Sequence, residues 1–294
     1  MISATKEKIL RFLAEYKYLT VSQLVGELNI SLTPAKCRQY LRDLRRLEYV
    51  TKLTHMATPR GANKDTIVRR VRHEDMHYLT KKGATFLDSL TELSFADIRY
   101  ARKIKHTLSN DYFHRMSTVS MNISFDYWIE ENELHNPKYL VYYDKRGLVE
   151  EGEFFKSETR IDLKENRHYT PDVLVRFSKK EEPFAFVLEL YHGNRTKYVL
   201  KQLKTAFWLI EKTTEISRVI GVKKTPRMLL VFDNPTLLNN VFKAVKADPV
   251  FDFYGITEML FFNLDTAVWK DFGKGWKNIR NEERNLAELQ TIKF

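Results

Sequence analysis

The start of the chain alternates apolar and polar positions at the spacing of amphipathic helices. Residues 6–16 place their apolar side chains on one broad face, which predicts a first helix. Thr20 precedes a second apolar run that ends near Asn29, and its hydroxyl can cap the N-terminus of a short helix. Thr33 precedes a third run in the same way, with Pro34 at the first helical position, where proline is favoured. We therefore expect three helices in succession.

The polar side of the third helix carries long cationic and amide side chains, which suit contacts to phosphates and guanine edges. Residues 29–32 form the turn to the second helix, and two helices joined by so short a turn are typical of a helix-turn-helix. We expect the third helix to bind DNA; an ordinary solvated basic face is the alternative. The residues expected to contact DNA are Lys36, Arg38, Gln39, Arg42 and Arg45.

Two β-rich runs follow, at residues 49–55 and 66–72, and a turn-prone basic segment separates them. This pattern predicts a β-hairpin beside the helices, the wing of a winged helix-turn-helix domain. Arg60 and Lys64 lie at its tip, where we expect them to reach the DNA backbone or the minor groove. Solvated strand charges are the alternative interpretation.

Residues 77–90 predict a helix capped at Thr80, and the apolar spacing over residues 106–132 predicts a longer helix. Short strand-like runs then replace the helical pattern, and strands that alternate with helices indicate an α/β sheet domain. The predicted strands are 139–143, 153–156, 173–177, 184–190 and 228–232, with helices at 196–213 and 234–247. The predicted organisation is α+β: a winged helix-turn-helix domain over 1–92, a helical linker over 93–135, and an α/β domain over 136–294.

Composition favours a polyanionic partner. Lys and Arg number 49 against 38 Asp and Glu, which gives a net charge of +11. Double-stranded DNA is the expected partner, and a merely soluble basic protein is the alternative. No run of about 18 apolar residues occurs, and the N-terminus lacks the apolar core of a secretory signal, so we expect no membrane span. Cys37 is the single cysteine, which fits a reducing cytoplasm.

The sequence places two carboxylates where they can converge. Asp172 opens one predicted strand and Glu189 nearly ends the next, so a hairpin brings both to one edge. Paired carboxylates are hard oxygen ligands for Mg²⁺ or Mn²⁺, which position water and neutralise a phosphodiester during hydrolysis. A metal-dependent nuclease with metal ligands Asp172 and Glu189 is therefore a chemical possibility.

This stretch resembles the PD-(D/E)xK nuclease fold, in which the motif also supplies a lysine across the hairpin. The position two residues after Glu189 is Tyr191, so the usual cation is absent from its usual place. Lys197, Lys201 and Lys204 share one face of the following helix, and Lys201 or Lys204 could supply the catalytic cation instead. The alternative is a solvated helix face, with Glu189 in a structural ion pair.

Several short motifs together resemble the bacterial replication-relaxation family, which is similar to the MobC type of plasmid relaxase. They are HYLTKKGATFL, the segment 106–115, TPD, and LELYHGN followed by the lysine-bearing helix, and they span residues 5–210. The resemblance implies a winged helix joined to a restriction-endonuclease-like domain. It further implies binding and nicking of plasmid or mobile-element DNA at an origin of transfer or replication, with other transfer or replication proteins as partners.

Further polar residues have two interpretations each. Glu131 is either an additional acid of the nuclease site or a surface glutamate, and Tyr191 is either a covalent nucleophile or a packing residue. The other possible metal ligands lack the spacing of a zinc site and are more typical of helix surfaces and loops. They are His106, Asp111, Asp144, Asp162, His114 and His192.

Three functions stay open at this point. One is a DNA-nicking enzyme, and the second is a non-catalytic accessory or transcriptional regulator with a degenerate nuclease-like domain. The third is a transcription factor with an apolar ligand pocket in residues 140–260. Homodimerisation is open as well, because no sustained heptad pattern is visible.

Overall fold

The computed structural model describes residues 2–57, 71–95, 97–100, 111–146, 156–162, 168–193, 195–212, 219–222, 226–253 and 259–289. The chain forms two compact units, Met1–Ile123 and Ser124–Phe294. Helices and strands occur in both, so the chain is of the α+β class, as predicted. None of the helices in the described ranges is long and apolar enough to cross a bilayer.

The first unit begins with three helical segments. Helix α1 (Ala4–Tyr16) is followed by a short π-helix (Gln23–Glu27) and by α2 (Pro34–Arg46). The side chain of Thr33 accepts a hydrogen bond from the Lys36 amide, which confirms the predicted N-cap of α2. Thr20 accepts one from the Gln23 amide at 3.2 Å and so begins the second helical segment as expected.

The strands of the first unit are β1 (Val50–Leu53), β2 (Met56–Ala57), β3 (Val71–Arg72) and β4 (Met76–Leu79), and α3 (Lys81–Leu90) follows. β1 pairs antiparallel with β4, and β2 pairs with β3. The prediction of one helix over 77–90 is wrong for its first three residues. Their backbone pairs with β1 and with Leu19, and Thr80 caps α3 only after that strand ends.

Helix α4 (Tyr112–Glu131) contains the division between the two units. The division lies within the segment predicted as a linker over 93–135, and the described residues of that segment up to Ile123 belong to the first unit and the others to the second.

The second unit is built on a mixed seven-stranded sheet with the order β15-β14-β13-β12-β11-β10-β5. β11 and β12 are parallel, as are β12 and β13, and the other neighbours are antiparallel. The sheet strands are β5 (His135–Val141), β10 (Val173–Lys179), β11 (Glu182–Tyr191), β12 (Arg227–Phe232), β13 (Leu260–Leu264), β14 (Trp276–Asn278) and β15 (Glu283–Arg284). The short strands β6 (Lys145–Arg146), β7 (Lys156–Ser157), β8 (Ile161–Asp162) and β9 (His168–Tyr169) pair outside it.

The two faces of the sheet are covered by different elements. Helices α5 (Thr196–Lys212) and α6 (Pro235–Ala247) contribute apolar side chains to the core on one face. On the other face the C-terminal half of α4 packs its aromatic rings against the sheet, with the Phe125 and Phe177 centroids 6.4 Å apart. The helices α7 (Pro249–Phe253) and α8 (Asp265–Val268) and a 3-10 turn (Leu286–Glu288) complete the described chain.

Candidate nucleic-acid interface and carboxylate cluster

Helix α2 buries one side and exposes the other. Cys37, Leu41 and Leu44 are buried in the first unit and fix the rotation of the helix about its axis. Because an α-helix has 3.6 residues per turn, the neighbouring positions point outward. The exposed residues include four of those expected to bind DNA: Lys36, Arg38, Gln39 and Arg42. Arg45 is only half-exposed.

Cations around α2 differ in how far they are neutralised. Lys6 pairs with Asp43 at 2.9 Å, and Asp75 pairs with Lys52 at 2.5 Å and with Arg72 at 3.0 Å. Within the described ranges no ion pair involves Arg38, Arg42 or Arg45. Their positive charge is therefore available to an external anion. Arg60 and Lys64, expected at the wing tip, lie outside the described residues.

The two predicted carboxylates are brought together in the second unit. Val173 of β10 pairs with Leu188 of β11, so Asp172 lies beside Glu189. The carboxylate of Asp172 accepts a hydrogen bond from the Leu190 amide at 2.7 Å, and the Asp172 and Glu189 side chains are hydrogen-bonded to each other. The hairpin therefore produces the convergence that the sequence predicts.

Glu189 is buried, with 7% of its surface exposed. Burial raises the pKa of its carboxyl well above the usual value, and the nearby charge of Asp172 raises it further. The hydroxyl of Tyr169, from β9, donates a hydrogen bond to Glu189. Tyr169 was not among the predicted site residues, because β9 is only two residues long and its approach to β11 leaves no periodic signal in the sequence.

Tyr191 occupies the position where a nuclease motif has its lysine. It is 5% exposed, its ring lies 5.5 Å from that of Phe232, and its side chain belongs to the core beneath α5. Its hydroxyl is buried and has no hydrogen-bond partner among the described residues. Burial raises the pKa of this phenol well above its usual value, which disfavours the phenolate that a covalent nucleophile requires.

The lysines of α5 do not gather at the carboxylates. Lys204 forms an ion pair with Asp248 at 2.5 Å, and Lys197 and Lys201 are exposed.

The remaining predicted acids and histidines have other surroundings. Asp111 pairs with Arg115 at 2.7 Å, and His192 lies 3.6 Å from Asp233. Asp162 pairs with Arg160, Asp144 is buried, Glu131 is exposed, His114 is half-buried, and His106 lies outside the described residues. In the part of the chain that is described, no group of three or more His, Cys, Asp or Glu side chains is placed to hold a metal ion.

No known protein family matches the chain, and neither does any curated protein. None of the comparisons supports membership of the replication-relaxation family. Among solved structures, the crystal structure of Bacillus subtilis PadR in complex with operator DNA is similar over 45% of this chain and 71% of that chain, with 17% identity and a TM-score of 0.23. At this TM-score the similarity carries no argument about fold or function.

Proposed function

We propose that the first unit binds double-stranded DNA, with α2 in the major groove. The observation that carries this proposal is that Arg38 and Arg42 are exposed on α2 and form no ion pair within the described ranges. Guanidinium groups donate paired hydrogen bonds to the O6 and N7 atoms of guanine and to phosphates. Three helical segments, a strand, two paired antiparallel strands and a further strand are elements that a winged helix-turn-helix would contain, which supports the proposal.

The DNA-binding proposal is tested with Arg42→Ala. A preferred duplex is first selected by the wild-type protein from a random-sequence library, and affinities are then measured by fluorescence anisotropy on that duplex and on a random one. We expect a loss of roughly tenfold or more on the selected duplex and a smaller loss on the random one. Lys8→Ala removes an exposed cation from α1 and serves as the charge-matched control. Failure to enrich any duplex, or equal losses on both DNAs, would count against the proposal.

The biological setting is proposed from the sequence motifs. They resemble those of plasmid replication-relaxation proteins, which favours a cytoplasmic protein acting at a plasmid or mobile-element origin of transfer or replication. Other transfer or replication proteins are the partners that this setting implies, and a homodimer would match a palindromic DNA site. Whether the selected duplex is palindromic tests the last point directly.

Metal-dependent DNA nicking is a second candidate function, and the convergence of Asp172 and Glu189 favours it. Mg²⁺ commonly takes one or two carboxylates together with water and substrate phosphates, so this pair fits such an ion. Asp172 and Glu189 would hold the ion, which would supply charge neutralisation at a phosphodiester. Lys201 would be the cation of the site, since Lys204 is engaged by Asp248. A non-catalytic accessory role is the competing function of the same unit.

Calorimetric titration with Mn²⁺ separates these two roles without knowledge of the DNA target. The wild type is compared with Asp172→Ala and Glu189→Ala. Glu182→Gln serves as the control, because Glu182 is an exposed carboxylate on the same strand β11. If Mn²⁺ binds to the wild type and to Glu182→Gln but not to either site variant, the result supports the nicking function and justifies cleavage assays. Absence of binding, even with DNA present, would leave the accessory role.

A further inference from the structure

The first unit has an open cavity of about 140 Å³ between exposed residues of α2 and the residues around the start of β4. Arg38, Arg42 and Arg45 line it from successive turns of α2, since positions three and four apart share a helix face. The rest of its lining consists of Val21, Glu74, Asp75 and His77. Six of the seven lining residues therefore have ionisable side chains, and three of these are arginines.

The charges around the cavity leave an excess of cations. Asp75 is already neutralised, because it accepts hydrogen bonds from Lys52 at 2.5 Å, from Thr54 at 2.7 Å and from Arg72 at 3.0 Å. Glu74 accepts one from the Ser22 amide at 3.2 Å. The three arginines have no ion pair within the described ranges. A bound anion would supply the missing negative charge.

Two buried nitrogen atoms beside the cavity also lack partners. His77 is only 5% exposed, and its Nδ1 atom has no hydrogen-bond partner in the described structure. The Nε atom of Arg45 is buried and unpartnered in the same way. Burial, reinforced by the charge of Arg45, lowers the pKa of His77 to about 4, so its ring is neutral at pH 7 and Nδ1 can carry a proton. Both atoms are potential donors, but protein atoms cover them, so the arginine side chains are the groups through which an anion would be bound.

We propose that this cavity binds a phosphate-type oxyanion. Its volume corresponds to about four or five water molecules, which is enough for one tetrahedral anion. The planar fork of an arginine matches two oxygens of such an anion, and three such side chains line the cavity. The anion is either a phosphate of the DNA backbone or a free phosphate. Because a free phosphate needs no DNA, the site does not depend on the proposed DNA-binding function.

The test is calorimetric titration of inorganic phosphate into the full-length protein, with ionic strength held constant by chloride. We expect one phosphate per chain, and at least about tenfold weaker binding for Arg45→Gln. Arg46→Gln is the matched control, because it removes the same charge from the next residue, which is exposed and outside the cavity. We expect it to change phosphate affinity by less than about twofold. No phosphate binding to the wild type, or equal losses in the two variants, would overturn the proposal.

If Arg45→Gln does not fold, Arg38→Gln replaces it, since Arg38 is exposed and lines the same cavity. Repeating the titration with saturating duplex DNA then identifies the source of the anion. Loss of phosphate binding in the complex would mean that a backbone phosphate occupies the cavity, and retention would mean that the site serves a free anion. If no duplex binds the protein, the first titration still decides the proposal.

Discussion

Gly83 lies in the first turn of α3, where the helix passes very close to the backbone of Tyr49. A Cβ atom added at this position would lie 2.8 Å from the carbonyl carbon of Tyr49, 3.0 Å from its Cα and closer still to its carbonyl oxygen. Real Cβ atoms do not approach other atoms below 3.0 Å, and a backbone group cannot rotate away. Gly83→Ala therefore requires α3 to move away from the residues that precede β1.

That movement is opposed by several contacts. The Thr80 amide donates to the Tyr49 carbonyl at 3.0 Å, the Thr80 hydroxyl donates to the Glu48 carbonyl at 2.6 Å, and the rings of Tyr49 and Phe86 are stacked with centroids 4.3 Å apart. Alanine gains about 1 kcal/mol of helix propensity over glycine. Overpacking against a fixed backbone costs about 3 kcal/mol. We therefore expect Gly83→Ala to lower the free energy of unfolding of the first unit by about 2 kcal/mol.

The chain offers a separate probe for each unit. All four tryptophans of the sequence lie in the second unit, whereas the single cysteine, Cys37, is fully buried in the first. The rate of thiol labelling at increasing urea concentration therefore follows the opening of the first unit. With an m-value of about 2 kcal/mol per molar urea, a loss of about 2 kcal/mol moves the labelling midpoint down by roughly 1 M.

Gly26→Ala is the control for this prediction, because a Cβ atom there would meet nothing within 4 Å. We expect it to leave the labelling midpoint unchanged or to raise it, since alanine restricts the unfolded chain by up to about 1 kcal/mol. A Gly83→Ala protein as stable as the wild type would refute the close-approach argument. A Gly26→Ala protein destabilised as much as Gly83→Ala would show that the effect is not specific to this contact.

Two further predictions concern Thr33 and Glu189. Thr33→Ala removes the N-cap of α2 and should destabilise the first unit by about 1 kcal/mol, measured by Cys37 labelling; no change would refute the cap. The pKa of Glu189 is raised in the folded second unit, so protonation of Glu189 stabilises the folded state. This stabilisation is complete below the pKa of the unfolded chain, and it is lost as the pH rises through the pKa of the folded state. Glu189→Gln should therefore gain stability relative to the wild type as the pH rises above the ordinary pKa of a glutamate, in urea unfolding followed by tryptophan fluorescence. A difference between the two proteins that does not change with pH would contradict this assignment.

Local chemistry explains which elements could be predicted from the sequence. The start of α2 depends on Thr33 and Pro34, and the hairpin of β10 and β11 depends on contiguous apolar runs. Both can therefore be predicted from the sequence without knowledge of tertiary contacts. The strand β4 was misassigned because its pairing partner β1 is distant in sequence. The strand β13 was missed because it is a short apolar run whose only strand signal is its parallel pairing with β12.

Some features of the candidate sites could likewise be predicted from the sequence, and others depend on tertiary contacts. Convergence of Asp172 and Glu189 follows from hairpin register, which the sequence fixes through the positions of the apolar residues. The engagement of Lys204 by Asp248 and the contact of Tyr169 with Glu189 are tertiary and have no periodic signal. The same holds for the cavity beside α2, because it needs β4 at the side of the helix, where the sequence predicted a helical segment.

The two candidate functions of the second unit require different protonation states of Glu189. A divalent ion binds the ionised carboxylate, whereas burial and the charge of Asp172 favour the protonated form, which donates to Asp172. Metal binding would therefore release a proton, and its measured enthalpy would depend on the ionisation enthalpy of the buffer. Without a metal, the same proton lies between Asp172 and Glu189 and leaves one negative charge on the pair instead of two, which stabilises the end of the β10–β11 hairpin. The hydrogen bond that Tyr169 donates opposes burial, because it lowers the pKa of Glu189 and so favours the ionised carboxylate that a metal needs. The proton on Glu189 is what distinguishes a metal centre from a structural acid pair.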